Sequence, residues 1–437
     1  MKRKSPKKIA ASDVLGIPID FQLTNEFSNA FDLMENTRRH IYITGRAGTG
    51  KSTLLNYFKE NTKKNTVVVA PTGIAAINVS GSTIHSFFRF PPRLISKSDI
   101  KKIRKKEKLF AAIDTVIIDE VSMVRADVMD GIDFSLRINR NCLNEPFGGV
   151  QLILIGDPFQ LEPVVEKELK DHFSVLYESP FFFSSNIIKQ IKLVRIELQK
   201  IFRQNDTEFI ELLNRIRNKT IQPSDLARLN RRYTPNVTMN SRELAIILSS
   251  TNNIAYQINN ARLNALHKKE YSYLAAIEGD FDEDSFPTEK ILKLKEGVQV
   301  MMVKNDPNKQ WVNGSLGIVQ KLSDDNIEVI VNNTVCTVEP TIWEKVQYDY
   351  DRNDEKIVPR QTGTFRQYPI KLAWAITIHK SQGKTFDRII IDLGNGAFAH
   401  GQTYVALSRA RTLEGIILKR TIRPSDVILN ECVLDFC

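Results

Sequence analysis

The segment GRAGTGKST, residues 45–53, constrains the fold of this chain more than any other stretch. It follows HIYIT (40–44), an apolar run that predicts a buried strand, and precedes LLNYFKE (54–60), whose apolar residues have helical spacing. Its spacing fits G-x-x-x-x-G-K-[ST], the phosphate loop, in which amides at a helix N-terminus hold an anion. Lys51 would reach the terminal phosphates and Ser52 would ligate Mg²⁺. An ordinary turn is the alternative, but the strand-then-helix context favours a nucleotide-binding domain.

Continuous apolar runs in the first half predict a parallel sheet that is covered on both faces. Helical segments separate these runs, so we expect a doubly wound α/β domain with ligands at the carboxyl ends of its strands. The predicted strands are HIYIT (40–44), NTVVVA (65–70), DTVIID (114–119) and VQLILIG (150–156).

Polar side chains follow two of these strands. Asp119 and Glu120 close the run TVIIDE, while Asp157 and Gln160 follow QLILIG. In a nucleotide-binding domain, the first carboxylate orders Mg²⁺ and a second one beside it takes the proton from an attacking water. Gln160 would hydrogen-bond that water or the γ-phosphate. A helix N-cap is the alternative role for the acidic pair, and the nearby phosphate loop favours catalysis.

The second half of the chain predicts a second α/β lobe that carries an inserted β module. Apolar runs that predict the strands of this lobe lie at 243–250, 387–394 and 414–420. The gap between the first two is far longer than a crossover connection. Within it, 297–303 and 317–340 predict antiparallel strands with SDDN and Asn-Asn turns. SDDN and YDYDRNDEK (348–356) are expected to be exposed loops. A second lobe argues against small-metabolite kinases, which also have a phosphate loop.

Composition points to a soluble protein with a polyanionic partner. The chain has 437 residues, which suggests two to four domains, and a net charge of +10. The run KKIRKKEK (101–108) is interpreted as either a solvated helix face or a ridge that contacts phosphates. The basic N-terminus precedes no apolar block, so we expect a flexible segment over 1–22 and no secretory signal. No apolar run of about 18 residues occurs, so no membrane span is expected.

The cysteines indicate a reducing compartment. They are scattered, at 142, 336, 432 and 437, and have no metal-ligand or disulfide-framework spacing. We therefore expect a cytoplasmic protein, associated with the nucleoid if the source is a prokaryote.

Two arginines lie where a facing domain could supply them to a phosphoryl-transfer site. LQKIFRQ places Arg203 near the joint between the halves, and TYVALSRAR places Arg409 near the end. Such sites recruit arginine to stabilise the charge of the transition state. A surface position is the default for either arginine alone, and the order of the motifs favours the catalytic role.

These segments occur in the order of the helicase motifs. Together they resemble superfamily 1 helicases of branch B, and more closely the petite integration frequency helicase family, near the RecD-like enzymes, over about 23–418. GRAGTGKS is similar to motif I, and APTGIAA (70–76) with STIHSFF (82–88) is similar to motif Ia and its extension. Motifs II to VI are matched by IIDEVSM (117–123), IGDPFQL (155–161), FRQ (202–204), WAITIHKSQGKT (374–385) and YVALSRAR (404–411). Seven motifs in this order are a very specific signal.

The resemblance implies the fold class and the domain boundaries. The fold would be α/β, with two RecA-like doubly wound parallel-sheet lobes, a small wedge insertion and an inserted Src-homology-3-like β-barrel. The implied boundaries are 23–202 for the first lobe with its wedge at about 86–112, 203–299 and 367–437 for the second lobe, and 300–366 for the barrel.

The resemblance also implies the activity. The chain would be an ATP-dependent 5′-to-3′ DNA helicase that uses Mg²⁺, translocates on single-stranded DNA and unwinds partial duplexes. The expectation extends to G-quadruplexes and to roles in replication, recombination, repair or telomere maintenance. The chain would bind no membrane and would act on DNA as a monomer or a weak dimer.

Roles for individual residues follow from the resemblance. Lys51 would hold phosphates, Glu120 would activate water and Gln160 would sense the γ-phosphate. Arg203 and Arg409 would be arginine fingers from the two lobes, and Ser52 and Asp119 would hold Mg²⁺. The expected nucleotide contacts are Gly45, Ala47, Gly48, Thr49, Gly50, Lys51, Ser52, Thr53, Asp119, Gln160, Arg203, Gly383 and Arg409. The expected contacts with single-stranded DNA are Pro71, Thr72, Thr83, His85, Phe87, His379, Ser381 and Gln382.

The chain departs from the family pattern where a glutamine usually reads adenine. LTNEF (23–27) has Phe27 at that place, which can stack on a base but cannot form two hydrogen bonds to it. We therefore expect a relaxed choice of nucleotide. Aromatic side chains beside the motifs are interpreted as either base-stacking groups or core residues; they are Phe87, Phe88, Phe90 and Trp374.

Three other functions share much of this pattern. A translocase would walk on single strands without unwinding, and an RNA helicase of the same branch would have the same motifs. A passive nucleic-acid-binding module with a vestigial nucleotide site is the third alternative. Intact Lys51, Glu120, Gln160, Arg203 and Arg409 argue against the passive module.

Overall fold

The structure, a computed structural model, describes residues 24–204, 206–237 and 244–437. The predicted N-terminal segment, 1–22, and residue 243 of a predicted strand lie outside these ranges. None of the helices within them is both long enough and apolar enough to cross a membrane.

The first lobe is a six-stranded sheet in which every neighbouring pair of strands is parallel. Its strands are β1 (His40–Gly45), β2 (Thr66–Ala70), β3 (Ser82–Thr83), β4 (Thr115–Ile118), β5 (Gln151–Ile155) and β6 (Leu193–Leu198). Their order across the sheet is β3-β2-β4-β5-β1-β6. The flanking helices are α1 (Asn25–Asn36), α2 (Lys51–Asn61), α3 (Gly73–Asn78), α4 (Ile84–Phe88), α5 (Glu107–Ala112), α6 (Ala126–Asn139), α7 (Lys170–Leu176) and α8 (Asn186–Gln190). All four predicted strands are confirmed.

The second lobe begins after β6 and is interrupted by antiparallel strands. Its first part contains α9 (Thr207–Arg217), α10 (Pro223–Asn230), β7 (Ile246–Ser249) and α11 (Asn252–Ala265). The interruption contains β8 (Tyr271–Leu274), β9 (Ala276–Gly279), β10 (Ile291–Leu294), β11 (Gln299–Met302), β12 (Leu316–Leu322), β13 (Ile327–Val331), β14 (Thr334–Val338), β15 (Thr341–Asp351), β16 (Lys356–Gln367) and β17 (Ile370–Leu372). The chain then returns through β18 (Ala375–Thr377), β19 (Ile389–Asp392), α12 (Gln402–Leu407), β20 (Ile416–Leu418) and α13 (Cys432–Phe436).

The sheet of the second lobe is parallel throughout, in the order β18-β7-β19-β20. Its central strands are almost continuous aliphatic runs, as burial on both faces requires. The α/β class with two parallel-sheet lobes is therefore confirmed.

An antiparallel sheet extends past both ends of the predicted inserted module, 300–366. A five-stranded antiparallel sheet has the order β14-β13-β12-β11-β17, so strands at 299–302 and 370–372 both belong to it. Asn332 and Asn333 both have positive φ, as the predicted Asn-Asn turn between β13 and β14 requires. Closure of these strands into a Src-homology-3-like barrel stays a prediction.

The expectation of an exposed loop over 348–356 is wrong. β15 and β16 form a long antiparallel hairpin in which only 352–355 is a turn, and β9 pairs with its second strand. Val346, Tyr348 and Tyr350 alternate with polar residues, which is a strand pattern that the surrounding charges obscured. Tyr348 is 5% exposed, and its hydroxyl accepts a hydrogen bond from the N–H of Val68 (3.1 Å). The hairpin therefore packs against the first lobe.

Candidate nucleotide and nucleic-acid site

The phosphate loop connects β1 to α2, as the sequence predicts. Gly48 and Gly50 have φ values of +84° and +85°, which residues other than glycine rarely adopt. A Cβ on Gly48 would lie 2.5 Å from the Cβ of Arg203, so glycine is required for this close approach. The N–H of Phe202 donates to the carbonyl oxygen of Gly48 (2.9 Å). The segment that carries Arg203 is thus fixed against the loop.

Lys51 lies over the loop, where its ammonium is held by backbone carbonyl oxygens. Its Nζ donates to the carbonyl oxygens of Gly45 (2.7 Å) and Arg46 (3.1 Å). Burial lowers the pKa of Lys51, and the charges of Asp157 and Glu120 oppose that shift. Because hydrogen bonds between two charged groups are stronger, a phosphate would be a better partner than these carbonyls. The loop therefore fits a bound phosphate group.

The acidic pair follows β4 directly. Glu120 has a φ of +50°, the kind of strained backbone that clusters at functional sites. Burial, followed by the charge of Glu120, raises the pKa of Asp119 to about 7. Burial also raises the pKa of Glu120, while Lys51 and Arg409 act against that rise. Asp119 is buried and the adjacent Glu120 is half-buried at the cavity, and this pair of carboxyl groups fits a divalent cation, whose charge would favour their ionised forms.

Gln160 belongs to a buried network that also contains an unpredicted arginine. Asp157 is fully buried, accepts from Gln160 Nε2 (3.3 Å), and forms an ion pair with Arg217 Nη2 (3.2 Å). The guanidinium of Arg217 stacks over the ring of Phe159, 3.6 Å from its centroid. Arg217 comes from α9, so this network ties the segment after β5 to the start of the second lobe. No local motif marks Arg217, since its partner lies 60 positions away.

Arg409 and Arg203 both reach the same cavity. Arg409 is 1% exposed, and its Nε donates to the carbonyl oxygen of Val405 (2.9 Å). Arg203 Nη2 donates to the carbonyl oxygen of Gly383 (3.2 Å). Burial lowers the pKa of both arginines, and the charge of Arg203 helps to bring that of Arg409 to about 9. A phosphate between these guanidinium groups would offset the cost of burying two positive charges and would reduce the repulsion between them.

A cavity of about 530 Å³ brings most of the predicted nucleotide contacts together. Gly45 and Asp119 do not line it, since Gly45 lies beneath the ammonium of Lys51 and Asp119 is 8% exposed. Lys200 and Phe202 line it although the sequence did not single them out as contacts. The predicted residues on its wall are Ala47, Gly48, Thr49, Gly50, Lys51, Ser52, Thr53, Glu120, Gln160, Arg203, Gly383 and Arg409.

Two phenylalanines line the cavity and differ in their exposure. Phe27 lines the cavity but is only 2% exposed, because it packs in the core between α1 and the sheet. Phe202 is 53% exposed, and the ammonium of Lys200 lies 5.1 Å from its ring centroid. Phe202 is therefore the aromatic face that is free to meet a base. Its position directly before Arg203 was the available sequence signal.

Hydrogen bonds join the phosphate loop and the predicted sensor to the second lobe. The N–H of Ala47 donates to the hydroxyl of Tyr404 in α12 (3.4 Å). Gln382 Nε2 donates to Gln160 Oε1 (3.4 Å), so two predicted residues from different lobes meet. The nucleotide cavity thus lies at the junction of the lobes.

The predicted DNA contacts of the first lobe lie at the start of two short helices. Thr72 and Thr83 cap α3 and α4, since their side chains accept from the N–H groups of Ala75 and Ser86. Thr72 is exposed, while Pro71, Thr83 and His85 are half-buried. Burial and the charge of Arg125 lower the pKa of His85. Pro71 and Thr72 follow β2, Thr83 is the last residue of β3 and His85 follows it, so these residues lie at the ends of two paired strands at one edge of the sheet.

Two of the predicted DNA contacts are buried in this structure. Phe87 is 2% exposed and packs in the core against Phe88 and Phe110. Ser381 is fully buried, and its hydroxyl donates to the carbonyl oxygen of Ile378 (2.7 Å). His379 and Gln382 on the same turn are half-buried and keep accessible surface.

The other aromatic side chains beside the motifs also belong to the core. Phe88, Phe90 and Trp374 are 2%, 6% and 7% exposed. In the predicted wedge, the lysines at 101, 102, 105 and 108 are exposed, whereas Ile103 and Leu109 anchor the segment.

Two parallel-sheet lobes with a phosphate loop, an acidic pair and two arginines at their junction define a P-loop nucleotide-hydrolase motor. Residues 22–226 match the family described as PIF1-like helicase, and residues 283–322 match the DNA helicase Pif1, 2B domain. The chain belongs to the PIF1-like helicase family.

Named relatives extend along nearly the whole chain. The ATP-dependent DNA helicase PIF1 of Xenopus laevis is 32% identical, over 97% of this chain and 65% of the relative. The ATP-dependent DNA helicase RRM3 of Saccharomyces cerevisiae is 30% identical, over 95% and 67%. The chain thus spans about two thirds of the length of these relatives.

Solved structures of Pif1 from Bacteroides cover most of the chain. The unliganded protein is 40% identical, with a TM-score of 0.88 over 95% of this chain and 96% of that one. The same helicase bound to ssDNA is 40% identical, with a TM-score of 0.68 over the same shares. The complex of the same helicase with ADP-AlF4 also has a TM-score of 0.88, so the arrangement described here is closer to the relatives without DNA than to the ssDNA-bound one.

Proposed function

We propose that this chain is an ATP-dependent DNA helicase that moves 5′ to 3′ along single-stranded DNA and unwinds duplex DNA. The observation that carries the proposal is the convergence of Lys51, Arg203 and Arg409 on one cavity that also contains Glu120. These residues come from separate segments of both lobes, so hydrolysis at this place depends on how the lobes are closed. A passive nucleic-acid-binding module would have no need of this arrangement.

The bound nucleotide would be ATP with Mg²⁺. Ser52 and Asp119 would hold the metal, which supplies charge stabilisation at the phosphates. Lys51 binds the terminal phosphates, and Glu120 takes the proton from the attacking water. Gln160 positions that water, while Arg203 and Arg409 stabilise charge on the transferred group. Loss of the terminal phosphate removes the partner of both arginines, which allows the lobes to separate.

Single-stranded DNA is the proposed track. Its proposed contacts on the first lobe are Pro71, Thr72, Thr83 and His85, and those on the second lobe are His379 and Gln382. Because Gln382 touches Gln160, a change at the nucleotide reaches the track through one hydrogen bond. Pif1 from Bacteroides has been solved bound to ssDNA, and another solved Pif1 structure concerns DNA unwinding at forked dsDNA by two coordinating Pif1 helicases. We propose the same partners here, with the chain acting as a monomer or a weak dimer.

Direction and substrate range complete the proposal. Movement 5′ to 3′ follows from membership of a branch B family. Action on G-quadruplexes and roles in replication, recombination, repair or telomere maintenance follow from the same membership.

The test compares two partial duplexes, one with a 5′ single-stranded tail and one with a 3′ tail. We expect ATP-dependent unwinding of the 5′-tailed duplex only, and none by Lys51→Ala, which should still bind the tail. Preferential unwinding of the 3′-tailed duplex would contradict the direction. ATP hydrolysis without unwinding of either would identify a translocase, and unwinding of RNA duplexes alone would identify an RNA helicase.

A further inference from the structure

A second cavity, of about 410 Å³, lies between the lobes and outside the proposed chemistry. One wall consists of the segment that follows Gln160, of α7 and of the residues just after α7, including Leu161, Phe173 and Tyr177. The other wall comes from the second lobe, through His379 and Phe398. Its volume falls in the range of sites that hold small organic groups, which run from about 300 to 1,000 Å³.

Phe398 is 63% exposed although its loop is firmly held. Its N–H donates to Gln402 Oε1 (2.9 Å), and Nε2 of the neighbouring His400 contacts the carbonyl oxygen of Pro158 in the first lobe (2.8 Å). A Cβ on Gly401 would lie 2.4 Å from the carbonyl oxygen of Gln160, so the loop touches the backbone of the proposed sensor. A large apolar side chain that is both exposed and fixed on a rigid loop is suited to contact a ligand.

The chemistry of the walls favours an uncharged aromatic occupant. Phe173, Tyr177, His379 and Phe398 offer ring faces and edges, and Val164, 68% exposed, lies at the wall. Two carboxyl groups, Glu162 and Glu178, and a single ammonium, Lys170, also line the cavity. Glu178 is paired with Lys189 (3.1 Å), so the wall presents no excess of positive charge that would attract a phosphate, whereas carboxylates accept hydrogen bonds from the exocyclic amines of bases. Aromatic faces stack on any base.

The position of the cavity selects one source of such a base. His379 is a proposed contact for the DNA track and is also part of this wall. We propose that one unstacked base of the single strand enters this cavity and stacks on Phe398. This inference rests on the proposed function and adds a base-holding site to it. The two walls belong to different lobes, and one of them begins directly after Gln160. The affinity of the cavity for this base should therefore change as the lobes close on ATP.

The experiment scans a single abasic site along the 5′ tail of a tailed duplex, whose junction fixes the register of the tail. Binding is measured by fluorescence anisotropy for the wild type, Phe398→Ala and Phe398→Tyr. Val175→Ala is the matched control, because Val175 is 85% exposed on α7 and does not line the cavity. For the wild type and the control, we expect one tail position at which base removal weakens binding by roughly 5- to 150-fold, the range for one base–aromatic stack.

Phe398→Ala should bind the intact tail more weakly than the wild type does, by the same factor. Removing the base at the sensitive tail position should not weaken its binding further. Phe398→Tyr should keep the wild-type profile, because the ring is retained. An abasic profile in Phe398→Ala that matches the wild type would overturn the inference, as would the absence of any sensitive position in the wild type. A wild type that binds no tail at all would contradict the proposed function itself, so the two failures are distinguishable.

Discussion

Arg203→Ala separates a catalytic role for this arginine from a structural one. The substitution removes the guanidinium but keeps the Cβ that fills the space beside Gly48. The backbone contact between Phe202 and Gly48 is also retained. In the structure described here, the substitution removes two long hydrogen bonds that the guanidinium donates to the carbonyl oxygens of Gly383 (3.2 Å) and Ser408 (3.5 Å).

The two roles predict free-energy changes of different size for this substitution. A hydrogen bond of ordinary geometry contributes about 1 kcal/mol to stability, so two long ones at the edge of a cavity should change the free energy of unfolding by roughly 1 kcal/mol or less. An arginine finger contributes on the order of 10³-fold or more to kcat, which is about 4 kcal/mol of activation free energy. The catalytic effect should therefore exceed the structural effect severalfold.

The assay measures kcat for ATP in saturating single-stranded DNA, together with the affinity for a fluorescent nucleotide and the melting temperature. We expect kcat to fall by roughly 10³-fold while nucleotide affinity and melting change little. Arg411→Ala is the control, because Arg411 lies two positions from Arg409 and pairs on the surface with Asp387. The reasoning is refuted if Arg203→Ala keeps half or more of the wild-type kcat.

Three further predictions address binding, nucleotide choice and pH. Charge reversal across 101–108 should weaken DNA binding and flatten its dependence on salt, whereas an unchanged slope would leave these lysines as a solvated face. Because Phe27 is buried and Phe202 can only stack, GTP should be hydrolysed at a rate comparable with ATP; turnover below about a hundredth of the ATP rate would refute this, since stacking tolerates every base. Burial lowers the pKa of His400, with the hydrogen bond to Pro158 and the charge of Asp157 opposing. Stability from its neutral ring should be complete above about pH 6.5 and be lost as the pH falls below that value, so His400→Gln should melt with a shallower acid dependence than the wild type; parallel curves would contradict it.

The parts of the site that the sequence predicted are those fixed by local structure. Gly48, Gly50 and Lys51 belong to a loop whose conformation depends on residues close to it in the sequence. Asp119 and Glu120 come directly after β4, so they lie at the carboxyl edge of the sheet. The parallel strands were equally predictable, since burial on both faces requires apolar runs.

The remaining features depend on contacts between distant segments. The partner of Asp157 is Arg217, which only the packing of α9 brings close. Phe87 and Phe27 are aromatic residues beside motifs, and sequence alone does not say whether such a ring faces the core or a ligand. The hairpin of β15 and β16 carries many charged residues, which obscure in the sequence the alternation around Tyr348.

We propose that DNA binding and ATP hydrolysis are coupled across the junction of the two lobes. The most direct test is the steady-state ATPase rate of the wild type with and without single-stranded DNA, with Gln382→Ala measured beside it. We predict strong stimulation of the wild type by DNA, and a loss of most of that stimulation in Gln382→Ala, because its hydrogen bond to Gln160 joins the track to the nucleotide cavity. An ATPase rate in the wild type that does not respond to single-stranded DNA would contradict the account.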